Sequence, residues 1–141
     1  MVEIINRQRR HNVQAKRWRE FATEALRAIG AGQRDATIVF VSDAAIRKLN
    51  CQFRGKDSAT DVLSFPSQPE AFETEAETNH GEIVISLDRA QAQAKESGLT
   101  LVNEVEQLIL HGLLHLCGHD HATDDGEMNR LELKLRRKLG I

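Results

Sequence analysis

Hydrophobic residues recur along the chain at two spacings, one typical of strands and the other of helices. Four short runs rich in β-branched and aliphatic residues predict strands, at residues 1–5, 36–41, 61–65 and 81–87. Segments with helical spacing alternate with these runs, and the first of them, over residues 12–29, places apolar side chains at Trp18, Phe21, Ala25 and Ile29. The pattern predicts an α+β fold in which one four-stranded mixed sheet packs against helices.

Two of the predicted helices are bounded by polar capping residues. A short helix is expected from Ser42 or Asp43 to about Asn50. A final amphipathic helix is expected to begin near Asp124, where Glu127 is positioned for a capping box.

The most apolar helix is predicted to begin at Thr100. Its residues from Leu108 to Leu116 are apolar on nearly every side, which is typical of a helix buried through the middle of a domain. His111 and His115 interrupt this apolar run. Histidines are uncommon in such an apolar helix unless they have a structural or functional role, so this helix is the first candidate for a functional site.

Composition indicates an ordinary globular protein. The 141 residues are 40% hydrophobic and 28% charged, which predicts a single domain over residues 1–141 with its own core. The two cysteines, Cys51 and Cys117, and an N-terminus unlike a signal peptide favour a cytoplasmic location. No apolar run is long enough to cross a bilayer, so a membrane partner is not expected.

Charge is distributed unevenly, although the net charge is only −2. Residues 1–19 contain six basic side chains and the single acid Glu3, whereas residues 70–77 contain four glutamates and no base. The basic stretch is either the solvated face of a helix or a surface for a polyanion, and charge alone leaves both interpretations open.

Three histidines have a spacing that suits a metal ion. His111 and His115 are four residues apart, so one helix face can present both imidazoles to a single ion. Gly118 can end the helix in the left-handed conformation and turn the chain so that His121 returns toward the pair. Three histidines leave one coordination position of zinc to water, as in catalytic sites. The pattern predicts one Zn²⁺ per chain on a zincin-like helix.

The same spacing occurs in metzincin proteases, with one difference. Those enzymes have a glutamate after the first histidine as general base, and this chain has Gly112. The glycine argues against ordinary zinc proteolysis, and we expect it to open space beside the metal. Asp120 either orients a ligand histidine or caps a turn, and Cys117 is interpreted as a small core residue.

Taken together, three ordered segments resemble the YbeY family. They are LNCQFRGKDSATDVLSFP at residues 49–66, GEIVIS at residues 81–86 and HGLLHLCGHDH at residues 111–121. The resemblance implies a metal-dependent, single-strand-specific endoribonuclease of small-subunit ribosomal RNA maturation and ribosome quality control. It implies single-stranded RNA, ribosomal RNA and the small ribosomal subunit as partners. It also implies zinc ligation by His111, His115 and His121, with Arg54 as a functional arginine near the metal.

The chemistry of Arg54 is compatible with that role. Its planar guanidinium can contact a phosphate through two hydrogen bonds and stabilise the negative charge that develops during cleavage. We expect Arg54 in a loop before the third strand, and the alternative is a surface arginine paired with Asp57 or Asp61. With five Phe, one Trp and no Tyr, the chain gives no sign of an aromatic stacking platform for bases.

Three functions remain open at this point. The first is the metal-dependent endoribonuclease, whose general base the sequence does not identify. The second is a zinc metalloprotease-like hydrolase, favoured by the histidine spacing and opposed by Gly112. The third is a noncatalytic ribosome-assembly factor in which zinc stabilises the fold and the basic N-terminal segment contacts RNA.

Overall fold

The computed structural model describes residues 1–66, 80–118 and 126–141. Within them, strands and helices alternate for most of the chain. Their order is β1 (Val2–Asn6), α1 (Ala15–Ile29), β2 (Asp35–Val41), α2 (Asp43–Arg54), β3 (Val62–Pro66), β4 (His80–Ser86), α3 (Leu87–Ser97), α4 (Leu101–Leu116) and α5 (Glu127–Leu139).

The strands form one mixed sheet in the order β1-β2-β4-β3. β1, β2 and β4 are parallel, and β3 pairs antiparallel with β4. In the register, Ile38 of β2 lies opposite Ile4 on one side and Ile83 on the other. The predicted four-stranded mixed sheet is therefore confirmed.

Successive side chains of the strands point to opposite faces of the sheet and bury two separate clusters. Ile83 and Ile85 of β4 belong to the larger cluster, together with apolar residues of α1, α3, α4 and α5. Val84, between them, packs with Ile46 of α2 in a smaller cluster on the other face. In the larger cluster the fully buried Trp18 contacts Phe40, with ring centroids 5.0 Å apart.

Helix α4 passes through the larger cluster, as its apolar sequence predicts. Gly112 is buried against β4, and a Cβ atom at this position would lie 2.9 Å from Cγ2 of Ile83. The hydroxyl of Ser64 on β3 donates to the carbonyl of Gly112 at 3.3 Å. The expectation that Gly112 opens space beside the metal is wrong, because this side of α4 faces the sheet. The glycine instead allows the helix to approach β4 closely.

Helix α2 is longer than the sequence analysis predicts. It continues past Asn50 to Arg54 and ends at Gly55, which has a left-handed φ of 67°. No glycine or proline stands between Asn50 and Gly55, so nothing in the sequence interrupts the helix earlier. Arg54 is therefore the last helical residue, and its predicted position in a loop is wrong.

The start of α5 also differs from its prediction. The helix begins at Glu127, and its N-cap residue is Gly126, which has a φ of 92° and no side chain with which to cap the helix. Asp124, the predicted start, lies outside the described residues. Across the residues that the structure describes, no helix combines the length and the apolar character needed to cross a membrane.

Candidate metal centre

The last turns of α4 bring His111 and His115 together, as their spacing predicts. Their Nε2 atoms are 3.1 Å apart, and the two ring planes meet at 72° with centroids separated by 4.6 Å. Both side chains are partly exposed at the edge of the apolar helix. Two imidazole nitrogens thus face one small volume of space from a rigid helix.

A buried carboxylate of α5 orients the first of these rings. Nδ1 of His111 donates to Oε1 of Glu132 at 2.6 Å, and Nη2 of Arg136 donates to the other carboxylate oxygen at 3.1 Å. The side chain of Glu132 is only 8% exposed. Because the carboxylate accepts at Nδ1, it favours the tautomer of His111 that carries its lone pair on Nε2.

Glu132 is a functional candidate that the sequence analysis missed. It lies four residues after Met128 and three before Leu135, on the buried stripe of α5. A charged residue among core positions was the available signal. Asp120, for which the sequence suggests this orienting role, lies outside the described residues.

The third predicted ligand, His121, also lies outside the described residues. The chain leading to it does turn as expected, because α4 ends at Leu116 and Gly118 has a left-handed φ of 92°. Within residues 1–66, 80–118 and 126–141, no three His, Cys, Asp or Glu side chains form a group that could hold a metal ion. Ligation by His121 stays a prediction.

The positions of His111 and His115 fit one zinc ion. Zinc–nitrogen bonds of about 2.0–2.1 Å in tetrahedral geometry separate two ligand nitrogens by about 3.3 Å. The Nε2 atoms are 3.1 Å apart, close to that requirement. A metal-binding histidine commonly donates its other ring N–H to a carboxylate, and His111 does so to Glu132.

The two histidines border a groove of about 790 Å³. The other described residues that line it come from the end of α2, the segment before β3, β3 itself and the turn after α4: Phe53, Arg54, Thr60, Asp61, Val62, Leu63, Ser64, Phe65, Pro66 and Gly118. Arg54 therefore shares one groove with the histidine pair, as the resemblance implies.

Arg54 is exposed and makes no ion pair with another described residue. Asp57 instead pairs with Arg47, whose Nε lies 2.8 Å from its carboxylate, and this contact lowers the pKa of Asp57. Asp61 accepts hydrogen bonds from the neighbouring Val62 amide and Thr60 hydroxyl. In the described residues, Arg54 therefore forms no ion pair with Asp57 or Asp61.

An aromatic pair also lines this groove. The rings of Phe53 and Phe65 have centroids 5.3 Å apart and planes at 67°, an edge-to-face arrangement. Phe53 remains 59% exposed. The sequence predicts no aromatic-rich platform from the count of aromatic residues, and such a count does not reveal where two of them meet.

Cys117 is separate from the histidine pair. It follows the last residue of α4, packs against the larger apolar cluster and borders another depression beside Arg34. Burial raises the pKa of its thiol. Cys117 therefore packs at the margin of the core and is partly buried, whereas the sequence predicts a core residue.

Two cations of the basic N-terminal segment form ion pairs with other parts of the fold. Arg17 of α1 pairs with the buried Glu106 of α4 at 3.0 Å, and Arg10 lies 3.4 Å from Asp88. These two cations therefore have structural partners. The acidic stretch at residues 70–77 lies outside the described residues.

The family model and the individual proteins that this chain resembles carry the same description. A family model described as Endoribonuclease YbeY matches residues 3–140. A protein named Endoribonuclease YbeY from Solibacter usitatus is 46% identical over 121 residues, which cover 86% of this chain and 76% of that protein. A protein of the same name from Koribacter versatilis is 48% identical over 121 residues, which cover 86% of this chain and 74% of that protein. One from Geobacter metallireducens is 35% identical over 141 residues, or 99% of this chain and 94% of that protein.

A solved structure supports the same assignment of the fold. The solution structure of TM1509 from Thermotoga maritima superposes with a TM-score of 0.62 at 28% sequence identity. The match covers 99% of this chain and 89% of that one. With the family match over residues 3–140, these similarities show that the chain belongs to the endoribonuclease YbeY family.

Proposed function

We propose that residues 1–141 form one catalytic domain, a zinc-dependent endoribonuclease that cleaves single-stranded RNA. Membership of the endoribonuclease YbeY family supports hydrolysis of phosphodiester bonds. The observation that carries the proposal is the groove that Arg54 lines together with His111 and His115. A cation and a metal-binding pair on one groove suit a phosphodiester, which carries a negative charge at its reacting centre.

The metal would be held by His111, His115 and His121. When bound, zinc supplies a Lewis acid and lowers the pKa of a coordinated water to about 7. Glu132 keeps the ring of His111 in the required tautomer and orientation, and Arg136 holds Glu132 from its other side. These contacts fix the ligand before any substrate arrives.

Arg54 would contact the phosphate. Its guanidinium is exposed and has no ion-pair partner among the described residues, so substrate binding breaks no such contact. Two parallel N–H donors match two phosphate oxygens and become more favourable as charge accumulates on them.

The cellular role follows from the family resemblance. We propose maturation of small-subunit ribosomal RNA and ribosome quality control, in the cytoplasm and with the small subunit as partner. The protease alternative is disfavoured because Gly112, at the position of the protease base, packs against Ile83.

The decisive experiment compares three substrates with the zinc-loaded protein. We expect cleavage of a single-stranded RNA, much slower cleavage of the same sequence in a duplex, and no cleavage of unstructured peptides. The variant in which His111 and His115 are both changed to alanine is the control for contaminating nuclease. Peptide turnover without RNA cleavage would favour the metalloprotease, and RNA binding without cleavage would favour the assembly factor.

A further inference from the structure

We propose that Phe53 is a stacking surface for an unpaired nucleobase beside the phosphate contacted by Arg54. The proposal rests on the nuclease function above and concerns how the same groove would select its substrate. In this proposal Phe53 contributes to the preference for single-stranded over double-stranded RNA. The ring would stack on any base and would not distinguish one base from another.

The first support is position. Phe53 and Arg54 are consecutive residues at the end of α2, and both line the groove that contains His111 and His115. Adjacent helical residues are separated by a rise of about 1.5 Å, so an aromatic ring and a guanidinium start from nearly the same level of the helix. A nucleotide joins its base and its phosphate through a single sugar, so two neighbouring side chains suit the two groups of one nucleotide.

The second support is the combination of exposure and order. Met1, Phe53 and Leu133 are the exposed large apolar residues in the described part of the chain, and of these only Phe53 borders the groove. Its edge-to-face contact with Phe65 holds the ring while 59% of the residue remains accessible. A ring already held in place loses little conformational freedom when a base stacks on it.

The third support is the chemistry of stacking. Every base has a π-face, so an aromatic side chain binds single-stranded nucleic acid with little regard to sequence. In a duplex each base is already stacked and paired, and moving one onto Phe53 would cost free energy. An unpaired base pays no such penalty, so the ring favours single strands.

The charge of the surroundings favours RNA over a protein as occupant. Arg54 and Lys56, on either side of Gly55, are both exposed, and neither makes an ion pair with a described residue. Exposed aromatic rings combined with exposed cations are typical of single-strand binding surfaces, and here the two cations follow Phe53 within three residues of the chain. An apolar protein partner would instead leave these charges buried and unpaired.

Binding is measured first, so that the test does not depend on catalysis. Wild-type protein, Phe53→Leu, Phe53→Trp and the control Leu133→Ala are titrated with a labelled 2′-O-methyl RNA single strand, and the affinities are compared by anisotropy. Leucine keeps an apolar side chain without the ring, so we expect binding weakened about tenfold. Phe53→Trp and Leu133→Ala should bind like wild type. A single abasic nucleotide at the stacked position should make wild type and Phe53→Leu equal.

Cleavage of unmodified RNA then separates the two proposals. If the wild-type protein cleaves RNA and Phe53→Leu changes neither binding nor cleavage, the stacking role is overturned and the nuclease function stands. No cleavage by wild type, together with the expected loss of binding, would overturn the nuclease and retain the stacking surface. Equal affinities for all variants, or no measurable binding of the single strand, would also overturn the role of Phe53.

Discussion

Oε1 of Glu132 accepts a hydrogen bond from Nδ1 of His111 across a distance of 2.6 Å, and this contact joins α5 to α4. Through this contact the C-terminal helix touches a side chain of the candidate metal centre directly. Arg136 contacts the same carboxylate, so the ring of His111 is positioned by a chain of two polar contacts. Helix α5 therefore contributes a polar contact to His111 in addition to its apolar packing.

The first prediction concerns that contact. Glu132→Gln keeps the size of the side chain but removes the negative charge that stabilises the Nδ1–H of His111. We expect zinc affinity to fall about 10- to 100-fold. Competition with a chelating dye measures the change, and Glu96→Gln, an exposed glutamate on α3, is the matched control. Unchanged affinity in Glu132→Gln would mean that the carboxylate only stabilises the fold.

The second prediction concerns stoichiometry. Wild-type protein should contain one zinc ion per chain, and His115→Ala should lose it because two remaining ligands bind with much lower affinity. Metal analysis after dialysis gives the number directly. His11→Ala is the control, since His11 pairs with Asp88 and does not line the groove. A full equivalent of zinc in His115→Ala would remove this residue from the ligand set.

The third prediction concerns the close approach of α4 to the sheet. In Gly112→Ala the new Cβ would lie 2.9 Å from Cγ2 of Ile83, a contact so short that the side chain of Ile83 or the surrounding backbone must shift. Overpacking of this kind typically costs about 1–3 kcal/mol, against a helix-propensity gain of about 1 kcal/mol. We expect a net loss of stability in thermal and denaturant unfolding.

A double-mutant cycle identifies the cause of that loss. Ile83→Ala alone creates a cavity, but in its presence Gly112→Ala should cost much less, because the clashing atoms are gone. Additive effects of the two substitutions would show that the clash is not the source of the destabilisation.

The fourth prediction concerns pH. Burial raises the pKa of Glu104, which is 8% exposed, and the nearby Asp61 raises it further, whereas Arg136 lowers it. A carboxyl group with a raised pKa binds its proton more tightly in the folded state. The stability it contributes is present below its unfolded pKa and is lost as the pH rises through the folded value.

Glu104→Gln removes this dependence. The variant should be more stable than wild type at neutral pH, and the difference should disappear in acid, below the ordinary pKa of glutamate. Melting temperatures across that range provide the measurement. Glu106→Gln is the contrasting variant, because it breaks a pair with Arg17 and should stabilise at no pH. A Glu104→Gln protein less stable than wild type at neutral pH would contradict the argument.

Local periodicity explains why the histidine pair could be predicted. The spacing of His111 and His115 on an apolar helix determines that they share a face, whatever surrounds them. The turn at Gly118 is local in the same sense, and its left-handed φ agrees with expectation. Such features depend on a few consecutive residues, which a sequence displays directly.

Contacts between distant segments could not be predicted in this way. Glu132 reaches His111 only because α5 packs on α4, and the strand order depends on how β4 pairs with both β2 and β3. Gly112 was misinterpreted for a related reason. The absence of a side chain suggests open space in a sequence, whereas in the fold Ile83 occupies that space.

The last prediction separates catalysis from folding at Arg54. If its guanidinium stabilises charge on the phosphate, Arg54→Glu should reduce RNA cleavage by about 10²-fold or more while zinc content and melting temperature stay near wild type. Arg54→Lys should recover part of the activity, because it keeps the charge but loses the paired donors. Single-turnover cleavage at saturating RNA distinguishes a chemical defect from weakened binding.

Arg47→Glu is the matched control, since it makes the same charge change on the same helix. Arg47 pairs with Asp57 and borders a separate depression, so its substitution alters the general electrostatic attraction of RNA without altering the groove. If Arg54 only attracts RNA through its charge, Arg47→Glu and Arg54→Glu should slow RNA cleavage similarly at low salt. Both variants should then approach the wild-type cleavage rate at saturating RNA. A catalytic role leaves Arg54→Glu slow at saturation while Arg47→Glu approaches wild type. Full cleavage by folded, zinc-loaded Arg54→Glu protein would exclude Arg54 from the mechanism.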